Sequence, residues 1–268
     1  MDATSLTKKK FKEMFLAGKR FDGRDLLDLR EIKIEYEVSN KAEGSVRVKL
    51  GKTEVVVGIK LGVGEPYPDS LDGGNLMVSA DLLPLASPKF EGGPPKFQAI
   101  ELPRLVDRAI RESGMIDLEK LSIEKGKKVW TIFIDIYPIN DDGNLIDVST
   151  IASILALRKT TIPKLDKDGN VKYKEKTKDK LPLSKEINPI SFTFYKLGES
   201  IILDPTREEE EACDVRITWG ISKWKGQYMI NSCQKSGGVP FNEKEIFEIM
   251  NVIQKKYEQV SEKLKKFL

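Results

Sequence analysis

No stretch of this 268-residue chain constrains the fold more than Val129 to Tyr137, where Val129, Trp130, Ile132, Phe133, Ile134, Ile136 and Tyr137 leave only two polar positions. β-Branched and aromatic residues favour a strand. Because both alternating faces are apolar, the spacing predicts a central strand covered on two sides. Asp141, Asp142, Gly143 and Asn144 then read as a turn. From Ile146 to Leu157 the chain is apolar almost all round a helix, with Val148, Ile151, Ala152 and Leu155 at core spacing.

On the N-terminal side, residues 5–17 predict a helix behind Thr4 or Ser5, with Leu6, Phe11, Phe15 and Leu16 as its apolar face and Gly18 as its end. From Glu31 the period changes to two. Ile32, Ile34, Tyr36 and Val38 alternate with charged residues, then Val46, Val48 and Leu50, and Val55 to Leu61 completes an antiparallel meander. Leu76 to Leu85 reads as a further strand. A Pro- and Gly-rich loop, Pro88 to Pro95, leads into a helix over Gln98 to Glu112, where Pro103 is tolerable only close to the helix start.

Pro163 to Glu186 carries eight lysines, two prolines and the turn residues Asp168, Gly169 and Asn170, and reads as a solvated loop or exposed hairpin. Strands follow at Ile190 to Phe194, Ile201 to Leu203, Val215 to Ile221 and Tyr228 to Cys233. A long final helix is capped by Asn242 and Glu245, with Ile246, Ile249, Ile253, Tyr257, Val260 and Leu264 as its buried stripe. Strands followed by helices, twice over, predict an α+β protein of two related halves packed together, with N-terminal and long C-terminal helices. The boundaries read as an N-terminal segment 1–30, a first half 31–163, a lysine-rich connector 164–187 and a second half 188–268.

Histidine is absent. That removes the commonest general acid/base, the commonest transition-metal ligand and every Ser-His or Cys-His nucleophile pair. With 45 basic against 42 acidic residues, affinity for a polyanion needs local clustering and not a global field. No apolar run reaches the roughly 18 residues of a membrane span, and the basic N-terminus lacks a signal peptide's apolar core. A cytoplasmic protein is expected. Its two cysteines, Cys213 and Cys233, have neither metal-ligand nor redox spacing and read as inert core thiols. Abundant Lys and Glu are compatible with a thermophilic source.

Arg20-Phe21-Asp22-Gly23-Arg24, followed by Asp28 and Arg30, contains a turn pair, Asp22-Gly23, and two arginines, Arg24 and Arg30, able to anchor on carboxylates. This segment resembles the Arg-x-Asp-Gly-Arg opening of the RNase PH family. The similarity continues through Glu43 to Val46, Gly51 to Val55, Asn75-Leu76, Leu82 to Ala86, Gly93 to Pro95, Ile100 to Arg108 and Gln234 to Gly237. The group Ile100 to Arg108 is similar to the non-catalytic ring subunit of the archaeal exosome. The resemblance implies an RNase PH-like fold of two βαβ-containing halves. It also implies heterodimers with a catalytic RNase PH-like subunit, closed into a hexameric ring that degrades single-stranded RNA from the 3′ end with phosphate, and RNA-binding cap proteins on that ring. No cofactor is expected on this chain; inorganic phosphate, with Mg²⁺ as its candidate companion, is assigned to the partner's site.

Phosphorolysis needs an anion seat, and a helix N-terminus with small residues and an arginine supplies one. In catalytic members that place resembles Gly-(Ser/Thr)-Arg. Here it reads Asp147-Val148-Ser149-Thr150, with an added carboxylate expected to repel phosphate. Catalytic members also carry two aspartates six residues apart, where this chain has Glu208 and Asp214. These read as vestigial acids in a solvated acidic turn, with a metal role as the lesser alternative. An autonomous phosphorolytic 3′-5′ exoribonuclease forming its own homohexamer is the competing function, and the missing seat speaks against it. A scaffold without an RNA role is the third.

Arg104, Arg108 and Arg111 lie at i, i+4 and i+7, so one side of their helix is basic. On an ordinary helix such arginines pair locally, Glu101 with Arg104, Asp107 with Arg111 and Arg108 with Glu112. The resemblance instead implies that Arg104 and Arg108 contact the RNA backbone at the neighbouring subunit's active site, with Arg111 as a further candidate. Guanidinium forks suit phosphate because they donate two parallel hydrogen bonds.

Overall fold

Period-two apolar residues build a first sheet from β1 (Ile32–Tyr36), β2 (Gly44–Leu50), β3 (Thr53–Gly64), β4 (Asn75–Ala80), β5 (Ser122–Glu124) and β6 (Lys128–Asn140) in a computed structural model that describes residues 4–166 and 169–268. Its order is β1-β2-β3-β6-β4, with β5 on β6; all pairs are antiparallel except β4 with β6. Helix α2 (Phe97–Arg111) lies between those two parallel strands in the chain. A second, antiparallel sheet runs β10-β9-β11-β12, made of β9 (Ile190–Leu197), β10 (Ser200–Leu203), β11 (Val215–Trp224) and β12 (Gln227–Gly237).

The helix after β6, α3 (Leu145–Lys159), is buried from Ile146 to Leu157 because it has a sheet on either side, β2 and β3 on one and β9 on the other. Helix α2 lies beside it, against β4 and against β11 and β12. This sandwich explains the all-round apolar sequence of α3. It also corrects the reading of β6. Ile132, Ile134 and Ile136 are fully buried against the helices, whereas Phe133 and Asp135 are half-buried and Tyr137 is exposed on the outer face. Apolarity on both faces did not mean cover on both faces.

The remaining elements are α1 (Ser5–Leu16), the hairpin β7 (Thr161–Leu165) and β8 (Val171–Lys180), α4 (Arg207–Ala212) and α5 (Glu243–Lys265). In α1, capped by Thr4, Phe11 and Phe15 pack with Tyr195, Leu197 and Ile202 of the second sheet, but Leu6 and Leu16 are exposed. The lysine-rich stretch does form a hairpin; Asp168 of its turn lies outside the described residues. The expected strand from Leu76 ends at Ala80, and Leu83 to Ala86 is a turn. Pro103 sits well inside α2, so the Ala99 carbonyl loses its helical donor; the helix tolerates this where Pro103 is buried in the interior. In α5 the capping box of Asn242 and Glu245 is present.

Three arginines lock the N-terminal segment to both sheets. Asp204, fully buried after β10, accepts from Arg30 Nη2 at 2.7 Å, Arg30 N at 2.7 Å, Arg24 Nη1 at 3.1 Å and Asn144 Nδ2 at 3.0 Å. Arg30 also donates to the Asp142, Gly143 and Pro205 carbonyls, and Arg20 to Glu209 and the Leu203 carbonyl. Gly143 (φ 85°) is required here, because a Cβ would lie 2.6 Å from the Pro205 carbonyl oxygen. Asp204→Ala would strand Arg30 without its buried partner. Chemical unfolding should show a loss of about 3–5 kcal/mol, whereas removing the exposed Lys125 partner of Asp72 should leave the midpoint unmoved.

Candidate functional site

The end of α3 that follows the Asp141 to Asn144 turn opens into a cleft of about 480 Å³ between the first turn of α2, α4 and the start of β11. A helix N-terminus attracts anions through its free amides and its dipole. In this chain the place is taken. Glu210 of α4 accepts from the Asn144 amide at 3.0 Å and from the Tyr195 hydroxyl at 2.7 Å. Burial first, and then the Tyr195 and Glu210 pairing, holds the Tyr195 hydroxyl protonated far above its usual range.

The cations around the cleft are matched in the same way. Glu211 holds Lys89 at 2.5 Å and Arg207 at 3.1 Å. Glu101 holds Arg216 across from α2 to β11. Asp141, on the cleft wall, has its pKa raised by burial and by the charge of Glu210. A second anion entering here meets carboxylates already bound to the available cations.

Asp147 does not line this cleft. It is buried beneath α3, where its carboxylate accepts from the Thr193 amide at 3.0 Å and the Thr193 hydroxyl at 2.7 Å. The expectation that Asp147 repels phosphate at the seat is therefore corrected: the carboxylate at the seat is Glu210. The two acids read as vestigial, Glu208 and Asp214, part company. Glu208 is exposed on α4 outside the cleft, while Asp214 lies on its rim, 3.6 Å from Lys8 Nζ. The acidic run is a capped helix, not a solvated turn; Thr206 and Glu209 form its capping box, and Glu209 is buried on Arg20. Among the described residues no group of three or more carboxylates or cysteines is placed to hold a metal ion. Cys213 lines the cleft but is partly buried against a core cluster, its thiol pushed up chiefly by burial, whereas Cys233 is exposed, contrary to its reading as a core thiol.

Arg104 and Arg108 stand apart from the cleft, further along the exposed side of α2. Neither guanidinium has a hydrogen-bond or ion-pair partner among the described residues. Local pairing fails for them because Glu101 turns inward to Arg216 and Glu112 does not reach Arg108. Arg111 behaves differently. It holds Asp107 at 2.6 Å and the Leu76 carbonyl of β4 at 2.8 Å, and the Asp107 hydrogen bond raises its pKa. It therefore staples α2 to the edge of the first sheet. Glu101 was detectable in sequence, since it shares a helix face with Leu105 and Ala109 and a buried acid needs a partner from elsewhere. Nothing in the sequence distinguished Glu210 from its acidic neighbours.

Asp147 makes a pH prediction. Burial outweighs the two Thr193 hydrogen bonds and lifts its pKa from 3.8 to about 7. The folded state then binds the proton more tightly than the unfolded chain, so between those values stability falls as pH rises. Relative to Asp147→Asn, the wild type should lose stability from about pH 4 to about pH 7 and stay level above that, as read by unfolding midpoints across the series.

Sequence profiles of the 3′ exoribonuclease family match residues 28–163 as its domain 1 and residues 188–255 as its domain 2. Exosome complex component Rrp42 of Methanothermobacter thermautotrophicus is 41% identical to 97% of this chain, over 95% of its own length. The Methanopyrus kandleri protein of that name is 45% identical over 93% of this chain and 92% of its own. A chain from the structure of the Archaeoglobus fulgidus exosome with RNA bound to the active site superimposes with a TM-score of 0.88 at 41% identity, covering 97% of this chain and 98% of that one. Rice Rrp46, with a TM-score of 0.66 at 15% identity, shares the fold alone. The chain belongs to the RNase PH family of 3′ exoribonucleases, alongside the exosome complex components called Rrp42.

Proposed function

We propose that this protein is the non-catalytic, RNA-contacting subunit of an archaeal-type exosome. In that reading it alternates with a catalytic RNase PH-like subunit in a hexameric ring, with cap proteins above it, in the cytoplasm. The observation that carries the reading is a contrast of charges. Arg104 and Arg108 are exposed and unpaired among the described residues, while in the cleft beside α3 the Asn144 amide is taken by Glu210 and the cations are tied to Glu101 and Glu211. Among the described residues no helix is long and apolar enough to cross a membrane.

The two arginines lie four residues apart on one face of α2, about 6 Å along its axis, so two neighbouring phosphates of an extended strand can each meet a guanidinium fork. They supply binding and orientation, not chemistry. Bond breaking belongs to the partner, which brings its own phosphate seat; inorganic phosphate, and Mg²⁺ where it takes part, bind there. Recognition through backbone phosphates is indifferent to sequence and weakens with salt.

The test is release of nucleoside diphosphates from labelled single-stranded RNA in phosphate and Mg²⁺. The chain alone should release none, and adding the catalytic subunit should restore release. Release by the isolated chain would instead establish the autonomous homohexameric enzyme. Arg104→Glu with Arg108→Glu should leave assembly intact and weaken RNA binding by about tenfold or more for each lost charged contact. Loss of both contacts should also flatten the slope of log affinity against log salt by about 1.4.

A further inference from the structure

The β11–β12 hairpin turns through two residues, Lys225 and Gly226, between the paired Trp224 and Gln227. Their φ angles are 49° and 82°. This is type I′ geometry, whose first position favours Asn, Asp or Gly. A lysine there is backbone-strained, and its side chain shows what it does: Nζ sits 4.5 Å from the centroid of the Trp224 ring, a cation–π contact. Lys225 has no carboxylate partner among the described residues, whereas neighbouring Lys223 is held by Glu258 at 2.6 Å.

Trp224 is also the chain's one open indole. It is 45% exposed, against 8% for Trp130 and 7% for Trp219. Single exposed apolar residues are ordinary. An exposed indole topped by an unneutralised ammonium is the pairing of stacking surface and charge that single-stranded nucleic acid uses.

The hairpin tip continues the line of the α2 arginines. Glu101 of α2 meets Arg216 of β11, and further along Ala109 meets Gly220, where an added Cβ would lie 3.1 Å from that of Ala109. Helix and strand therefore run side by side in one direction. Arg104 and Arg108 fall between these two levels, and Trp224 lies four strand residues, about 13 Å, beyond the second. A few nucleotides span that distance.

We propose that this hairpin tip is a second contact for single-stranded RNA, with a base stacked on the Trp224 indole and the adjoining phosphate paired with the Lys225 ammonium. The inference rests on the RNA-contacting reading of α2. Its partner is RNA and not protein because the unmatched charge and the flat ring together suit a stacked base of any sequence.

The test uses the full-length chain, titrated with oligoadenylate at low salt while tryptophan fluorescence and the anisotropy of labelled RNA are followed together. RNA should quench the emission of Trp224, and inorganic polyphosphate, which offers phosphates without bases, should not. Trp224→Leu should abolish the quench and weaken binding by about 5- to 150-fold, the range for loss of one stacked base; Trp224→Phe should retain most of the affinity. If Trp224→Leu binds like wild type while Arg104→Glu with Arg108→Glu does not bind, the tip proposal is overturned and the α2 reading stands. Failure of the wild type to bind RNA at all overturns both. Quenching by polyphosphate, or emission that changes with protein concentration and not with RNA, overturns stacking in favour of charge alone or of a protein contact.

Discussion

Asp204 is the point on which the molecule turns. It sits in a left-handed conformation (φ 51°) between β10 and α4, fully out of water, with a carboxylate that Arg24, Arg30 and Asn144 reach from three directions. Burying two carboxylates, Asp204 and Glu209, with three guanidiniums is costly, and such a cluster stabilises only when nearly every donor and acceptor is used. Here the arginine forks also donate to the carbonyls of Leu203, Asp142, Gly143 and Pro205. The cluster thus joins the N-terminal segment, the turn before α3 and the start of α4, three pieces distant in sequence.

That junction determines what the cleft can hold. With Asn144 held by Asp204 and Glu209 held by Arg20, the first turn of α4 faces the first turn of α3. Glu210, next in the chain, is delivered to the Asn144 amide. The positive end of the α3 dipole is satisfied inside the protein. A helix N-terminus able to attract an anion serves here to hold two helices together, and both arginines on the cleft wall are paired as well, Arg207 with Glu211 and Arg216 with Glu101.

How far this could be read in the sequence depended on whether the signal was local. The capping box of α5, the alternation of β1 to β3 and the all-round apolar α3 are each settled within a few residues, and each stands in the structure. Arg24 and Arg30 read as anchors for carboxylates, although nothing near them in sequence named Asp204 as the anchor point. The outer face of β6 could not be read, because Phe133 and Tyr137 report apolarity while cover depends on what packs over them. Leu6 and Leu16 of α1 mislead for the same reason. The acidic run misled differently: period and charge density made it a solvated turn, and only the tertiary position of Arg20 makes Glu209 a buried residue.

The arginine row shows that pairing, and not charge, separates the cations tied to the fold from those left open. Arg104, Arg108 and Arg111 are alike in sequence, each with an acid within a turn. Arg111 finds Asp107 because both lie on the side of α2 facing β4, where the Leu76 carbonyl supplies a second partner and fixes the rotamer. Arg104 loses its neighbour Glu101 to a buried site that a carboxylate can enter only with a cation, and Arg216 provides it. Once Glu101 is committed inward, no acid among the described residues pairs with Arg104, and its charge stays open to solvent. The open charge at Arg104 is therefore a consequence of how the core was closed: the same ion pair that ties α2 to the second sheet removes its neighbouring carboxylate from the helix surface.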